Sequence, residues 1–526
     1  MDVSWGTALI AAVVVIALSM IIHRIQHSQP QLNHANFVSA ERCAVSIALI
    51  EALPESVFFG PHPVFIQSIQ SYWAVQERDI LPRCIVRPRN AEEVAAAVGI
   101  LKREYDDCTC QHRVPALFAV RSGGHSPIPG AANIHGGIVI DLQLLNEVVP
   151  SEDGSCVVIG TGARWLDVST ILDRKCLAVA GGRNSAVGVG GLTLGGGISF
   201  FSPRVGFVCN NILSYEIVLA NGTIATASES TNPGLWRALK GGSNNFGIVT
   251  RFVARSFPST DVWSGFLYMT ASKAGQVIQA FHSYAQADAG IYDEYAAGPL
   301  VCFSYVQKLG IQVIATNLVY TKPEPWPSCW AGFKSIGRLW STVKVRSLTS
   351  ATNELAMSSP AGLRQKFITT TVKNDHATLM EIHAAYKEGA QVMRKVRDMV
   401  WTLVLQPLSP VMAKKSQPNV LGLDTRTEPL VIVLFTVVWK DVADDELVDR
   451  TTRGIIGGID HYAASKGTAD PYRYLNDCDS WQNPFDGYGA DNKRFLQEMS
   501  RQYDPDGLFQ RACVGGFKLD MDNHHA

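Results

Sequence analysis

The sequence predicts an α+β protein built from two domains, and two observations carry that prediction. With 526 residues, the chain is longer than one simple core allows. Near residue 260 the pattern changes from short β-branched runs between Gly and Pro turns to longer apolar strands separated by helical spacing. We therefore expect a linker and the start of the folded chain over 26–77, a first domain over 78–258 and a second over 259–460. Residues 461–526 are expected to return to the first domain.

Local patterns predict the elements of the first domain. Asn90 stands where a helix N-cap is expected, directly after a β-branched run at 84–88. Asn221-Gly222 between two apolar runs predicts a hairpin turn, and residues 165–172 have helical spacing. The polar residues 104–108 are interpreted as a solvated loop. Further strands are predicted over 117–121, 137–141, 156–160, 214–219 and 223–227.

Longer strands and helices predict an antiparallel sheet covered by helices in the second domain. A last helix is expected to end at Asp504-Pro-Asp-Gly507, where a turn follows. Strands are expected over 265–269, 300–305, 313–317 and 430–439, and helices over 272–287, 379–400 and 491–503.

The composition is that of a globular enzyme. Hydrophobic residues make up 47%, charged residues 18%, and the net charge is -1. We expect no nucleic-acid partner, since that would require a basic surplus or stripe. Cys108 and Cys110 are too close together and too isolated for a zinc site, and no metal is expected. Among the eleven cysteines, Cys43 and Cys84 either pair or remain free thiols; the sequence leaves both readings open.

The N-terminal segment predicts a membrane anchor. Residues 3–22 carry no charge and have about the length that crosses the hydrocarbon core as a helix. Asp2 precedes the run, and no Ala-x-Ala cleavage pattern follows before His23, so residues 1–25 resemble an uncleaved anchor more than a signal peptide. The expected protein is held at a membrane by this single helix. Secretion after signal-peptide cleavage is the alternative.

Two glycine-rich segments are the most informative motifs: Arg121-Ser-Gly-Gly-His-Ser126 and Gly188-Val-Gly-Gly-Leu-Thr-Leu-Gly-Gly-Gly197. Glycines let a backbone approach a ligand closely, and their amides bind phosphate. A dinucleotide fingerprint fails because Thr193 stands at its third glycine position, and no Gly-Lys-Ser/Thr follows for a P-loop. His125 inside the first segment indicates chemistry at a bound cofactor.

These motifs, with others in the same order, resemble the vanillyl-alcohol-oxidase type of flavoproteins, specifically the berberine-bridge-enzyme-like group of fungal biosynthetic oxidases. The resemblance runs from about Leu81 to Leu519. It includes Gly181-Gly-Arg183, the run Trp236-Arg-Ala-Leu-Lys-Gly-Gly-Ser-Asn-Asn-Phe-Gly-Ile-Val249, Tyr474-Leu-Asn476 and Tyr503-Asp-Pro-Asp-Gly-Leu-Phe509. It implies a two-part FAD-binding domain of the PCMH type and a separate antiparallel-sheet substrate domain covered by helices.

The resemblance also implies the cofactor and its site. FAD is expected to be bound covalently through its 8α-methyl group to His125. Many relatives have a second link to a cysteine that lies three residues before the valine preceding the second glycine segment. That valine is Val187 here, and Asn184 occupies the cysteine position, so a single link is expected. The implied FAD-binding residues are Arg121, Ser122, Gly123, Gly124, His125, Ser126, Gly188, Gly190, Gly191, Thr193, Gly195, Gly196, Ile248 and Asn476.

The catalytic base is less clearly indicated. Relatives of the berberine-bridge type use a glutamate on a substrate-domain strand, and the corresponding strand here, 430–439, contains no acid. Phe435 and Thr436 are expected in that region instead. Tyr474 is therefore the predicted catalytic residue.

The expected activity is an FAD-linked oxidase that transfers a hydride from a small lipophilic metabolite to the flavin N5, with O2 as acceptor and H2O2 as product. Alcohol oxidation, desaturation and oxidative ring closure all fit. A secreted carbohydrate oxidase and a membrane-anchored flavin-binding protein without turnover are the alternatives. The partners expected are the metabolite, O2 and the membrane, and the protein is expected to be a monomer.

Overall fold

A computed structural model describes residues 43–286, 292–415 and 418–520. Over this range the chain forms three β-sheets with helices packed against them, as the predicted α+β class requires.

The first sheet is small and belongs to the N-terminal part. Its central strands pair in parallel, Cys84–Val86 and Phe118–Arg121 on either side of Ile138–Asp141, and Val57–Phe58 adds an antiparallel edge. Helix Ala91–Cys110 covers it, and the Asn90 side chain caps this helix by accepting from the Glu93 N–H at 2.9 Å. The first glycine segment follows strand Phe118–Arg121 directly and is joined to the residue after strand Cys156–Gly160 of the second sheet by a hydrogen bond between Ser122 and Thr161.

The second sheet is antiparallel and follows directly in sequence. Its longest strand, Ile248–Pro258, lies at the centre and pairs with strands on both sides. Glycine at 222 has a φ of +79°, which the predicted hairpin turn at Asn221-Gly222 requires. The other strands are Val148–Pro150, Cys156–Gly160, Leu177–Val179, Ile212–Val218 and Ile224–Ser228.

The third sheet is the largest and is antiparallel throughout. One face packs against helices Ala274–Ala285, His376–Met393 and Asp445–Lys466 to form an apolar core, in which Trp401 is fully buried. The other face is turned toward the glycine segments. Its strands, in spatial order, are Trp340–Ser341, Val262–Thr270, Ile311–Tyr320, Ala296–Val306, Val400–Leu408, Leu430–Trp439, Arg364–Lys373 and Ala469–Asp470, with Lys344–Arg346 also paired to Val262–Thr270.

The C-terminal part comes back to the first two sheets. The Val514 N–H donates to the Phe118 carbonyl at 3.0 Å, and the Phe509 ring meets that of Phe118 edge-on. The remaining α-helices of the described residues are Ala44–Ala52, Pro63–Gln70, Val75–Arg78, Trp165–Asp173, Val189–Leu194, Ser202–Val205, Pro233–Ala238, Ala331–Lys334, Leu348–Met357, Pro410–Lys414 and Ala490–Tyr503, with a π-helical turn at Leu508–Ala512.

Two local predictions are corrected by the structure. Residues 104–108 are not a loop: the helix that begins at Ala91 continues through them to Cys110. Tyr105 packs in the apolar cluster against the first sheet, and Cys108 is also buried. The helix predicted over 379–400 begins at His376 and ends at Met393, so the last residues of that range leave the helix before the strand Val400–Leu408. Cys43 and Cys84 are free thiols, as are the other cysteines.

The predicted single-pass membrane anchor is also corrected. In the part of the chain that the structure describes, no helix is both long and apolar enough to cross a membrane. Residues 3–22, on which that prediction was based, lie outside the described residues. The predicted anchor therefore has no support in the described part of the chain.

Candidate active site

A cavity of about 420 Å³ lies between the two glycine segments and the face of the third sheet that is not covered by helices. Its floor consists of backbone from the glycine segments and the start of strand Ile248–Pro258. The opposite wall consists of side chains from the third sheet, among them Val404, Gln406 and Leu434. Residues far apart in sequence thus enclose one space.

The two glycine segments touch each other backbone to backbone. A Cβ placed on Gly123 would lie 2.5 Å from the Gly188 Cα, and one placed on Gly188 would lie 2.6 Å from the Gly123 Cα. Ser122 joins the segments further: its hydroxyl donates to the Thr161 carbonyl at 2.7 Å and accepts from the Gly190 N–H at 3.3 Å. Glycine is required at this crossing because any side chain would force the segments apart.

Gly191 differs from these glycines because it faces open space. A Cβ at this position would meet no atom within 4 Å, although the residue lines the cavity. A side chain here would clash with no described atom of the protein and would extend into the open space beside the cavity wall. This is the arrangement expected where backbone forms the contact surface for a cofactor.

His125 lies in the cavity wall and is half-buried. Its Nε2 is buried and has no hydrogen-bond partner among the described residues. Burial, assisted by the nearby Arg164 guanidinium, lowers the pKa of His125 to about 3, so the imidazole is neutral at physiological pH. A neutral ring nitrogen keeps a lone pair available for attack on an electrophilic carbon.

Trp73, which the sequence analysis missed, holds the His125 ring in place. The two rings stack with their centroids 4.3 Å apart and their planes within 10°. The indole N–H donates to the Ser359 carbonyl at 3.0 Å, and the Trp73 backbone N–H donates to the Gly124 carbonyl, also at 3.0 Å. Trp73 lies in the segment that was expected to be a linker, and no local motif marks it.

The side chain of Arg121 points away from the cavity. It is 1% exposed, stacks over the Tyr72 ring at 3.9 Å, and donates to the Ser68 and Ser71 hydroxyls. Asp141 lies 4.0 Å from its guanidinium. Arg121 thus supports the first glycine segment from behind and does not reach the space that the segment encloses.

The structure brings most of the other predicted residues to the cavity. Thr193, Gly195 and Gly196 do not line it. Thr193 is buried in helix Val189–Leu194, and a Cβ on Gly195 would meet the Asn476 amide at 2.2 Å. The predicted residues that line the cavity are Ser122, Gly123, Gly124, His125, Ser126, Gly188, Gly190, Gly191, Ile248, Tyr474 and Asn476.

Tyr474 and Asn476 lie on the same side of the cavity and are joined to each other. The Tyr474 hydroxyl oxygen accepts from the Asn476 amide at 3.0 Å and from the Ile198 N–H at 3.1 Å. Burial raises the pKa of Tyr474 well above its ordinary value, and Asp477 adds to the effect. At neutral pH the phenol therefore keeps its proton, so it can donate a hydrogen bond but is a poor base.

Strand Leu430–Trp439 presents Leu434, not Phe435, to the cavity. Phe435 lies on the opposite face, in the helix-covered core, with its ring 5.0 Å from that of Trp401. Because side chains alternate along a strand, Thr436 shares the face of Leu434 but does not line the cavity. The expectation that Phe435 occupies the active-site region is corrected.

Three polar residues that the sequence analysis did not assign form a chain of hydrogen bonds at one end of the cavity. Arg183 donates from Nη2 to the Gln406 Oε1 at 2.7 Å, and Gln406 donates from Nε2 to the Asp477 Oδ2 at 3.2 Å. Their sequence separation explains why no motif could have shown them together. The one signal in the sequence was that Asp477 follows the Tyr474-Leu-Asn476 motif directly.

A second cavity of about 1040 Å³ adjoins the first at this end. Arg183, Ile198, Leu300 and Gln406 line both. Much of the second cavity is apolar, with Phe200, Ala296, Ala297, Pro407 and Met412 in its wall. It can admit a molecule to the first cavity past Arg183 and Gln406.

The first cavity fits FAD. The contact between Gly123 and Gly188 supplies a backbone surface without side chains, and Gly191 leaves space for a bound group. His125 supplies a neutral ring nitrogen that has no hydrogen-bond partner among the described residues. The predicted residues that could hold the cofactor are those that line the cavity: residues 122–126, Gly188, Gly190, Gly191, Ile248 and Asn476.

Comparisons with known protein sequences also indicate that this chain binds FAD. The family described as an FAD binding domain matches residues 82–228. The chain is 31% identical to the FAD-dependent monooxygenase drtC of Aspergillus calidoustus over 97% of this chain and 95% of the relative. It is 35% identical to the FAD-dependent monooxygenase sdcF of Emericella nidulans over 90% and 98% of the two chains.

Solved structures share the fold at lower identity. 6-Hydroxy-D-nicotine oxidase from Arthrobacter nicotinovorans superposes with a TM-score of 0.71 at 21% identity, covering 89% of this chain and 98% of that one. Glucooligosaccharide oxidase from Acremonium strictum gives 0.70 at 18% identity, covering 91% and 99%. The site and fold thus define an FAD-dependent oxidoreductase of the vanillyl-alcohol-oxidase and berberine-bridge-enzyme type. The chain belongs to the family of fungal FAD-dependent monooxygenases that includes drtC and sdcF.

Proposed function

We propose that this enzyme carries one covalently bound FAD, linked to His125, and oxidises a small lipophilic secondary metabolite with O2 as the electron acceptor. The observation that carries the proposal is the neutral, partnerless His125 nitrogen, which lies in a cavity framed by side-chain-free backbone. The names of the fungal relatives support FAD chemistry, and the apolar part of the second cavity's wall supports a lipophilic substrate.

His125 would hold the cofactor covalently, with an imidazole nitrogen joined to the 8α-carbon, and O2 would be the oxidant that takes up the two hydrogens lost on attachment. The residue's own contribution is a neutral ring with a buried Nε2 that has no hydrogen-bond partner among the described residues. Asn184 lines the cavity but accepts from the Ala186 N–H at 2.9 Å, and its amide cannot form the second, thioether link.

The chemistry that FAD supplies in this cavity is acceptance of a hydride at N5, after which both electrons pass to O2 and give H2O2. The chain's own residues position the reactants. Tyr474 stays protonated at neutral pH, so its hydroxyl can donate to a bound molecule, and Leu434 and Val404 form an apolar surface opposite the glycine segments. Arg183 and Gln406 lie where the two cavities meet, and the substrate passes them.

An oxygen electrode with a peroxide assay tests this function. The holoprotein is given a panel of benzylic and allylic alcohols, phenolic polyketide-type compounds and a fungal metabolite extract, with cellobiose as the sugar control. We expect O2 consumption and one H2O2 per oxidised molecule with a lipophilic compound, and none with cellobiose. Turnover of cellobiose in preference to every lipophilic compound would contradict the substrate class.

The names of the relatives favour one alternative, monooxygenation. The two reactions differ in where the oxygen atoms end. With isotopically labelled O2, the proposed oxidase places all label in peroxide, whereas a monooxygenase places one labelled atom in the product and requires an added reductant. Label in the product would replace our proposal with the alternative.

A further inference from the structure

The proposed oxidation needs a proton acceptor, and this inference rests on that function. Removal of a hydride from a carbon that bears a hydroxyl group, or lies next to an acidic C–H, releases a proton as well. Strand Leu430–Trp439 offers no acid, and burial keeps Tyr474 protonated. Of the described residues that line the FAD cavity, Asp477 is the one carboxylate.

Asp477 is buried and rigidly placed. It ends the 3₁₀ turn Leu475–Asp477 and is 8% exposed, and its backbone N–H donates to the Tyr474 carbonyl at 2.9 Å. Its Oδ2 accepts from Gln406, while no hydrogen bond from the described part of the chain reaches Oδ1. One carboxylate oxygen is thus held, and the other is left for a substrate proton.

Gln406 has a fixed amide orientation because its two ends have different partners. Its oxygen accepts from the Arg183 guanidinium, so its NH2 must face Asp477. Among the described residues, no direct ion pair joins Arg183 to Asp477; the amide lies between them. The carboxylate is therefore oriented without being neutralised by a contacting cation.

We propose that Asp477 is the proton acceptor of the reaction, that Gln406 is the positioning residue that orients it, and that Arg183 binds the substrate oxygen on which negative charge develops. The substrate O–H or C–H proton passes to Asp477 Oδ1 as its electron pair forms the new π bond. The hydride passes to the bound FAD, so the substrate loses two electrons and two hydrogens. The preferred substrates are therefore molecules with an alcohol or enol oxygen that fits against a guanidinium.

The surroundings of Asp477 give it a distinctive acid–base behaviour. Burial raises its pKa to about 6, against the opposing effects of Arg183 and of the hydrogen bond from Gln406. The other titratable groups that face it are Tyr474 and Cys478, and burial raises the pKa of both well above their ordinary values. His125 in the same cavity has a pKa of about 3. A titration near pH 6 in this cavity therefore belongs to Asp477.

The first test needs no substrate. The visible absorbance of the bound flavin is recorded from about pH 4.5 to about pH 8 in the holoprotein and in Asp477→Asn. We expect a spectral transition with a midpoint near 6 in the wild type and none in the variant. Gln406→Leu should move the midpoint upward, because the hydrogen bond that lowers the Asp477 pKa is lost. A wild type without this transition, or a transition retained in Asp477→Asn, would overturn the proposal.

The second test measures flavin reduction in the absence of O2 with the compound that emerges from the oxygen-electrode panel. Asp477→Asn should lower the rate constant about 100-fold or more and abolish its rise through pH 6, and Asp477→Glu should restore part of both. Asp479→Asn is the matched control: it makes the same change two residues away, at a buried carboxylate that pairs with Lys366 and does not line the cavity.

The two proposals fail in distinguishable ways. If no compound of the panel reduces the flavin, the proposed substrate class fails, while the spectral titration still decides the placement of Asp477. If a compound reduces the wild type and Asp477→Asn equally fast, Asp477 is not the acceptor, and the oxidase function stands.

Discussion

The two walls of the FAD cavity are built by different means. The glycine wall consists of backbone from two local motifs that touch at Gly123 and Gly188, and its geometry requires particular residues at particular positions. The opposite wall consists of side chains from neighbouring strands and one turn, including Gln406, Leu434 and Asp477. The first wall suits FAD, on which relatives such as drtC and sdcF depend. The second can vary with the substrate without disturbing the first.

The largest effects are expected when side chains are added within the glycine wall, which tests whether this wall must consist of backbone alone. Gly123→Ala should destabilise the fold by about 3 kcal/mol, because its Cβ would lie 2.5 Å from the Gly188 Cα. Gly191→Leu should fold normally, because open space surrounds that position, but should contain little FAD. Thermal unfolding and flavin absorbance measure the two effects. A stable, flavin-loaded Gly123→Ala protein would contradict the account of the crossing.

Replacing Asn184 with cysteine should create a second covalent link to the flavin. Asn184→Cys should place a thiol in the cavity wall and allow a second covalent flavin link, with Asn184→Ser as the control that cannot form one. The double variant Asn184→Cys with His125→Ala should then retain flavin after acid precipitation. If Asn184→Cys carries flavin on His125 alone, residue 184 does not face the reactive edge of the flavin.

Trp73 should affect the efficiency of covalent attachment. Trp73→Leu removes the ring stacked on His125 and should lower the covalently bound fraction by about tenfold under limiting FAD, because the imidazole loses its fixed orientation. Trp73→Phe keeps an aromatic ring but loses the hydrogen bond to Ser359, and should give an intermediate fraction. An unchanged fraction in Trp73→Leu would show that the stack does not position the histidine.

The smallest expected effect is on stability at the side-chain wall. The folded protein raises the Asp477 pKa from 3.8 to about 6, so ionisation of this group costs wild-type stability as the pH rises through that interval. Asp477→Asn should therefore unfold roughly 2 °C above the wild type at about pH 8 and at the same temperature near pH 4. A difference independent of pH would indicate that Asp477 is not buried as described.

The glycine wall was easier to predict from the sequence than the side-chain wall. The glycine motifs, His125 and most strand positions were predictable because local spacing and turn residues determine them, as the helix cap at Asn90 and strand Leu430–Trp439 illustrate. Arg121 belongs to the motif, but its side-chain direction depends on the helix Pro63–Gln70, which the motif does not contain.

The side-chain wall could not be predicted in the same way. Trp73 reaches His125 only through the tertiary fold, and the hydrogen-bond chain from Arg183 to Asp477 joins three distant segments. Phe435 was expected in the site because the strand was identified correctly, but which of its alternating side chains face the cavity depends on the sheet register.

The central claim, a single covalent FAD on His125, is tested most directly by peptide mass mapping of the acid-precipitated full-length protein. We predict one flavin mass on the peptide that contains His125 and none on the peptide that contains Asn184, with all flavin released to the supernatant in His125→Ala. Flavin that remains attached in His125→Ala, or that maps to any other residue of the wild type, would contradict the account.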